Sequence, residues 1–389
     1  MAQIQCRHFN GYKPCGKSEN CDSACSSLDV PQASILIVHL GALGAVVRAT
    51  SLLMPIKRKF PRSRVTWVTD APAHRLLEDN PLVDRVLTTS AEDQLVLRAL
   101  TFDVAFAIDK SLKAAGVLAL TQVDLVFGFV ADPHSGAILP STPAAEELWS
   151  LGLSNQKKFF ENKKTETQLM VEALELGAYH QDDYYLPLKI AELEEAERRH
   201  SHWKTNPDLP VVGLNTGCAN TIPAKKWTVE FHRKVIEGLL ASGYKNLVLL
   251  GGPEDSERNR QIAEGFDIIE TPTKSGLRDG LISVAACDLV ITGDSLGMHM
   301  AIAMKKYVIA WFGPTCAHEI ELYGRGIALK APVSCSPCWK RTCEKDVMCY
   351  DQIQLETVLD AVYQGLKVCH SDPQAKFSTF KRPFSETSA

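Results

Sequence analysis

The sequence predicts an α/β protein made of two doubly wound, Rossmann-like halves that face each other across a cleft. Three observations predict it. Short apolar runs alternate with helical stretches, which is the mark of βαβ units and a parallel sheet. The alternation stops at Asn206-Pro-Asp-Leu-Pro210 and then begins again. The chain has 389 residues, and one compact domain ordinarily holds roughly 100–200.

The elements follow in order. Residues 1–33 form a cysteine-rich leader. Met1 to Ser27 is polar and lacks the apolar segment of a signal peptide, so the chain reads as cytoplasmic. Residues 34–205 form a first half. Ser34-Ile-Leu-Ile-Val-His-Leu40 is its buried opening strand, Gly41-Ala-Leu-Gly44 a turn, and Ala45 to Lys59 a helix. Arg64 to Thr69, Asp84 to Leu87 and Phe102 to Ile108 are further strands, and Ile190 to Lys204 is a charged helix. Residues 206–370 form a second half. Its strands are Val211 to Asn215, Asn246 to Leu250, Leu289 to Thr292 and Tyr307 to Phe312, with helices over 228–242, 255–264, 281–286 and 296–304. The tail, 371–389, is expected to be disordered.

Composition excludes several classes. The net charge is −4, with 45% hydrophobic and 23% charged residues. No basic stripe points to nucleic acid. The apolar run Ile35 to Leu40 is far shorter than the about 20 residues a membrane span needs. Peripheral association with the inner face of a membrane stays compatible with a lipid-linked acceptor.

Ligands of doubly wound sheets sit at the carboxyl ends of strands. In the second half, Gly293-Asp-Ser-Leu-Gly-Met-His299 joins a strand to a helix whose first N–H groups and positive dipole end make an anion site. An ordinary capped helix, with Asp294 or Ser295 satisfying backbone donors, is the plainer alternative. Asn215-Thr-Gly to Lys225-Lys-Trp227 leaves another strand of the same half, and its lysines are either a solvated pair or the cations that neutralise a leaving diphosphate. Gly251-Gly-Pro-Glu-Asp255 leaves a third, where an acid either caps the next helix or accepts ribose hydroxyls.

Taken together, these segments resemble glycosyltransferase family 9, the heptosyltransferase family. The likeness runs from about Ile35 to Ala361. It is carried by Ile35 to Leu53 with Pro55, Trp67-Val-Thr-Asp70, Asn80-Pro81 with Asp84-Arg-Val, Ala224-Lys-Lys-Trp227, Gly251-Gly-Pro-Glu254, Gly293-Asp-Ser to His299-Met-Ala, and Phe312-Gly-Pro-Thr315. The resemblance implies the GT-B architecture, no catalytic metal, and inverting transfer of a heptose from a nucleoside-diphosphate donor such as ADP-heptose to a lipopolysaccharide-core glycan or lipid-linked acceptor. It also implies a donor site of Thr216, Lys225, Glu254 or Asp255, Asp294, Ser295, Leu296, Gly297 and His299. Lys225 would meet the phosphates, Asp294 the sugar hydroxyls, and the amides of 295–297 would cradle the diphosphate.

Two positions depart from the family pattern. Ala45 stands where the family has an Asp expected to act as general base, and a methyl group cannot take a proton. Asp70, Asp109 or His39 would then have to serve, or the chain binds a nucleotide sugar without transferring it. The family's Asp-Ser-Gly is Asp294-Ser-Leu296 here, with Gly297 one residue later.

Of the 12 cysteines, eight cluster. Cys335-x2-Cys338-x4-Cys343-x5-Cys349 has the spacing of a four-thiolate structural zinc or iron site. Cys6, Cys15, Cys21 and Cys25 form a looser set in the leader, either metal ligands or plain thiols. Cys218, Cys287, Cys316 and Cys369 read mostly as small buried hydrophobes.

Overall fold

The computed structural model describes residues 5–9 and 11–371. Spatial proximity divides the chain into two compact units. One comprises Met1–Ala42, Ser51–Asn155 and Gln168–Asp182, the other Leu43–Thr50, Gln156–Thr167 and Asp183–Ala389.

The first unit is built on a six-stranded sheet: β1 (Ala33–Val38), β2 (Ser63–Val68), β3 (Arg85–Leu87), β4 (Thr101–Ala107), β5 (Gln122–Ala131) and β6 (Ile138–Pro140). Their order is β3-β2-β1-β4-β5-β6, with the first five parallel and β6 antiparallel to β5. Ile35, Leu36, Ile37 and Val38 are all buried, as a strand covered on both faces requires. Before Ala33 the leader contains no helix or strand among its described residues. Arg7 fastens it, donating to Asp29 at 2.7 Å and to Asp84 at 2.5 Å.

The second unit holds β7 (Val212–Asn215), β8 (Leu247–Leu250), β9 (Ile269–Glu270), β10 (Leu289–Gly293), β11 (Tyr307–Phe312) and β12 (Gly326–Lys330). All are parallel, in the order β12-β11-β10-β7-β8-β9. Val212, Leu214, Ile291, Ile309 and Trp311 form the centre of its core. Each sheet reverses its strand order once, between β1 and β4 in the first and between β7 and β10 in the second. Such a switch point opens a crevice at the strand ends.

Two expectations are corrected. The helix expected over 45–59 is broken into Leu43–Ala49, a 3₁₀ turn at Thr50–Leu52, and Leu53–Lys59. Pro55 explains the break, since it removes an N–H and crowds the carbonyl of Ser51. The single boundary at 205/206 is also too simple. The helix Ile190–Trp203 packs within the second unit, where Arg199 pairs with Asp279 at 2.5 Å and Arg278 pairs with Glu192. The expectation for the tail falls, from residue 372 on, outside the described residues. No helix among the described residues is long and apolar enough to cross a membrane.

Candidate functional site

In the second unit the loops after β7 and β10 converge at the switch point. Lys225 Nζ lies 3.0 Å from Asp294 Oδ2. Burial works to raise the Asp294 pKa, but the Lys225 ammonium prevails and holds it below the usual carboxylate value. Asn215, at the end of β7, donates through Nδ2 to Ser295 Oγ at 3.0 Å and to Thr292 Oγ1 at 3.2 Å.

Sequence explains why these loops meet. Trp227 is buried and stacks on Trp311 of β11 with centroids 5.5 Å apart, which pins the end of the 215–227 loop. Gly293 lets the backbone pass, since a Cβ there would stand 2.0 Å from the Lys225 carbonyl oxygen. A Cβ at Gly297 would stand 2.4 Å from Asn215 Oδ1. The glycine displaced by one residue is therefore the one that admits Asn215 against the helix Leu296–Ala303. Ser295 caps that helix, its Oγ accepting the Met298 N–H. The N–H groups of Leu296 and Gly297 have no hydrogen-bond acceptor within the helix, as at any helix start.

The other predicted donor-site residues divide. His299 is buried and stacked on Tyr184, with centroids 6.0 Å apart. Burial, with Arg48 and Lys225 nearby, pushes its pKa down to about 3, so the imidazole is neutral. Thr216 is buried and its hydroxyl donates to Asn259 Oδ1 at 2.5 Å, which makes it a loop anchor. Asp255 is buried and accepts the Gly252 N–H at 2.9 Å, closing the short turn Pro253–Asp255 rather than capping the helix Ser256–Ala263. Glu254 is exposed.

Ala45 lies in the second unit, on the helix Leu43–Ala49. Its neighbour Gly44 faces His299, and a Cβ there would stand 2.6 Å from the ring. One helical turn beyond Ala45, Arg48 pairs with Glu166 at 2.6 Å. Arg48 also lies in the field of Asp294 and Glu319. Lys158 Nζ is 3.7 Å from Glu319 Oε1. Sequence reasoning missed Arg48, Lys158, Glu166 and Glu319. Their only signal was that each lies in or near a segment the family motifs bracket.

The replacement bases fall in the first unit, and each is engaged through part of its side chain, while His39 Nε2 is buried without a partner. His39 Nδ1 and Asp109 Oδ1 are 2.6 Å apart, and the other Asp109 oxygen accepts the Leu40 N–H. Asp70 accepts from Lys113 at 2.8 Å and from Thr89 at 2.6 Å. Burial raises its pKa, but these bonds outweigh that and leave it lowered.

No disulfide joins the described cysteines. Cys6, Cys15, Cys21 and Cys25 line one small pocket with Phe9 and Leu28. Burial, with Cys338 and Cys343 nearby, pushes the Cys349 pKa up to about 11. Of the scattered four, Cys287 and Cys316 are buried, while Cys218 and Cys369 are half-buried.

Known proteins share this fold. Lipopolysaccharide heptosyltransferase 2 of Escherichia coli (strain K12) is 24% identical over 308 residues, covering 72% of this chain and 83% of its own length. A family 9 glycosyl transferase of Veillonella parvula DSM 2008 superposes with a TM-score of 0.71 at 19% identity, over 88% of this chain and 99% of that one. E. coli ADP-heptose lps heptosyltransferase II does so with a TM-score of 0.63 at 18% identity, over 86% and 99%. These are GT-B folds of two Rossmann-like domains, as found here. Residues 95–348, more than half of the chain, match the family described as glycosyltransferase family 9 (heptosyltransferase), and the chain belongs to that family.

Proposed function

We propose that this glycosyltransferase moves a heptose, with inversion, from ADP-heptose to a lipopolysaccharide-core or related glycan acceptor. The observation that carries the reading is the Lys225–Asp294 pair, with Asp294 two residues before the helix Leu296–Ala303, at the switch point of the second sheet. An ammonium has three donors, so Lys225 keeps hydrogens for a phosphate while it holds Asp294. Its charge, with the helix amides, stabilises the leaving diphosphate most when that charge is greatest. Asp294, held ionised, is suited to accept from sugar hydroxyls. Glu254 or Asp255 would meet the ribose. The second half, 206–370, would bind the donor and the first, 34–205, the acceptor. No nucleic-acid partner is expected. The chain would work in the cytoplasm, at the inner membrane face where the acceptor is lipid-linked.

Two thiol sets are candidates for a structural metal by their spacing, although among the described residues the ligand atoms that gather within 4.8 Å are those of Cys316, His318 and Glu319. Cys335, Cys338, Cys343 and Cys349 offer four sulfurs within a short loop, and Cys6, Cys15, Cys21 and Cys25 offer four around one pocket. Zinc or iron there would crosslink segments that have little core of their own. Neither set enters the transfer step. Metal analysis of the purified chain, with Cys338→Ser and Cys21→Ser as separate variants, tests each set.

The central test is calorimetry with ADP and ADP-heptose. Binding is expected for the unmodified chain and a loss of at least tenfold for Lys225→Ala. No binding of either ligand would remove the reading. Ala45 favours one rival, a protein that holds the nucleotide sugar without transferring it. Release of ADP only by Ala45→Asp, and never by the unmodified chain, would establish that rival.

A further inference from the structure

The loop that follows β11 carries three kinds of metal ligand side by side. Cys316 Sγ, a His318 ring nitrogen and a Glu319 carboxylate oxygen all lie within 4.8 Å of one another. They sit on and just before the short turn Ala317–Glu319, within the second unit. Cys316 and Glu319 are buried and His318 is half-buried. Thiolate, imidazole and carboxylate are the donors that zinc takes, and three protein ligands leave its fourth position open. Zinc bonds of about 2.0–2.3 Å in a tetrahedron set the ligand atoms roughly 3.3–3.6 Å apart, so the set has to close by only about 1–1.5 Å.

The partners of each ligand fit the same reading. His318 Nε2 is 3.2 Å from the Lys158 carbonyl oxygen. A carbonyl only accepts, so Nε2 carries the proton and the lone pair of the neutral ring is on Nδ1. A carbonyl partner of this kind ordinarily orients a metal-bound imidazole. The Trp339 side chain hydrogen-bonds with Cys316. An indole can only donate, so the sulfur is the acceptor. Glu319 is 7% exposed, yet no hydrogen bond reaches its carboxylate among the described residues. Lys158 Nζ stays 3.7 Å from Oε1, beyond hydrogen-bond reach, and lies over the Trp339 ring, 4.2 Å from its centroid. A buried carboxylate without a donor is costly, and a coordinated cation removes that cost.

Neighbouring segments hold the turn in place. Ser336 Oγ donates to the Gly313 carbonyl at 2.6 Å. The Cys338 and Trp339 N–H groups both donate to the Pro314 carbonyl, at 3.1 and 2.8 Å. The three ligands are thus braced by the Lys157–Glu161 turn on one side and by the 336–339 segment on the other. Lys158 is the cation that faces the set. Its side chain is 28% exposed, so the ammonium can turn to water when an ion takes the carboxylate.

We propose that Cys316, His318 and Glu319 bind one thiophilic divalent cation, zinc by ligand type, with a water completing the tetrahedron. Binding sends the Cys316 thiol proton, and any proton on the Glu319 carboxyl, to solvent as the metal–ligand bonds form. No electron is transferred. The ion ties the loop after β11 to the Lys157–Glu161 turn. It takes no part in sugar transfer, and the inference does not depend on the transferase reading. The site is also distinct from the two all-thiol sets, with which it shares no residue.

The test counts zinc by equilibrium dialysis and elemental analysis on the full chain, for the unmodified protein, Cys316→Ser, His318→Gln and Glu319→Gln. His318→Gln keeps a donor for the Lys158 carbonyl and removes the ligating nitrogen. The Tm of each metal-free form and its ADP affinity are followed in parallel. The unmodified chain is expected to hold one equivalent of zinc that each variant lacks or binds about tenfold or more weakly. Zinc should raise the Tm of the unmodified chain by more than that of any variant. Magnesium should not displace it, because a thiolate and an imidazole suit zinc and not magnesium. Equal zinc stoichiometry and affinity in the unmodified chain and the variants overturns the proposal. So does an unmodified chain that binds no zinc, or one whose zinc magnesium displaces. Where one substitution prevents folding, the other two decide. ADP affinity is expected to be unchanged throughout, and a chain that binds zinc but not ADP counts against the transferase reading alone.

Discussion

The two switch points share one topology and differ in chemistry. In the first sheet the loops after β1 and β4 bring His39 and Asp109 to 2.6 Å, and the second Asp109 oxygen takes the Leu40 N–H. That pair closes on itself and staples two strand ends. In the second sheet the equivalent loops bring Lys225 to Asp294 and Asn215 to Ser295. Arg48, Glu166, Lys158 and Glu319 gather around them, and a helix begins there. The same strand order therefore yields one crevice closed by a His–Asp staple, with His39 Nε2 buried and without a partner, and another whose unit holds three cation–carboxylate pairs. Topology marks where a ligand can bind. The Lys225 cation and a helix start mark the second as the place suited to an anionic ligand.

The comparison is broken most directly by exchanging the losses. Lys225→Ala is expected to lower kcat/KM by about 10²–10³, the usual cost of removing one preorganised group from a transition-state charge. His39→Ala should leave ADP affinity within about twofold by the same logic, since it removes nothing from the phosphate site. Steady-state kinetics with ADP-heptose and calorimetry with ADP check both. An equal loss for His39→Ala would show that the first crevice is also a donor site.

A second comparison concerns stability. Asp109→Ala strips partners from both His39 Nδ1 and the Leu40 N–H. An unpartnered buried polar group costs about 1–3 kcal/mol, so urea unfolding should show a loss of at least that order. His39→Ala should cost less, because Asp109 keeps the Leu40 bond.

Most of the fold was legible, and the reason is periodicity. Strands such as Ile35 to Val38 and Val290 to Thr292 are short continuous apolar runs, and Gly-rich turns follow them. The weak strands were not. Ile269–Glu270 is two residues long, and Gln122–Ala131 is largely exposed along its first half, so neither has a clean pattern. At the site, Lys225 and Asp294 were readable because both leave strand ends of one sheet. Thr216 and Asp255 were readable as positions but not as roles. Only coordinates reveal that the Thr216 hydroxyl meets Asn259 and that Asp255 takes the Gly252 N–H. Glu319 was invisible for another reason. Its interest comes from burial beside two other acids that lie 153 and 25 residues away in sequence (319−166 and 319−294), and no local pattern encodes that.

Gly44 sharpens the comparison at a smaller scale. A Cβ there would stand 2.6 Å from His299 Cδ2, and overpacking of this kind costs about 1–3 kcal/mol. Gly44→Ala is therefore expected to lower the unfolding free energy by that amount and to weaken ADP binding, because His299 lies on the helix that offers Leu296 and Gly297. Urea unfolding and calorimetry on the same sample check the two effects. A stable Gly44→Ala with unchanged ADP affinity would show that the contact with the helix Leu296–Ala303 yields freely and that the second site is less rigid than its packing implies.

The smallest effect is the one that isolates burial, read on the metal-free chain. Glu319 has a folded-state pKa raised from 4.5 to about 7. A raised carboxyl binds more protons in the folded chain than in the unfolded one, so its stabilising contribution is complete below about 4.5 and lost as pH rises through about 7. Glu319→Gln carries no such dependence. The variant should match the unmodified chain near pH 4.5 and exceed it at pH 8.5, by a Tm difference on the order of 2–4 °C, which about 1 kcal/mol produces in a domain of this size. Scanning calorimetry at the two pH values reads it. A variant that gains nothing at pH 8.5 would mean that the Glu319 carboxylate is as comfortable ionised as Asp294 is. The contrast between these two acids of the second unit would then be lost.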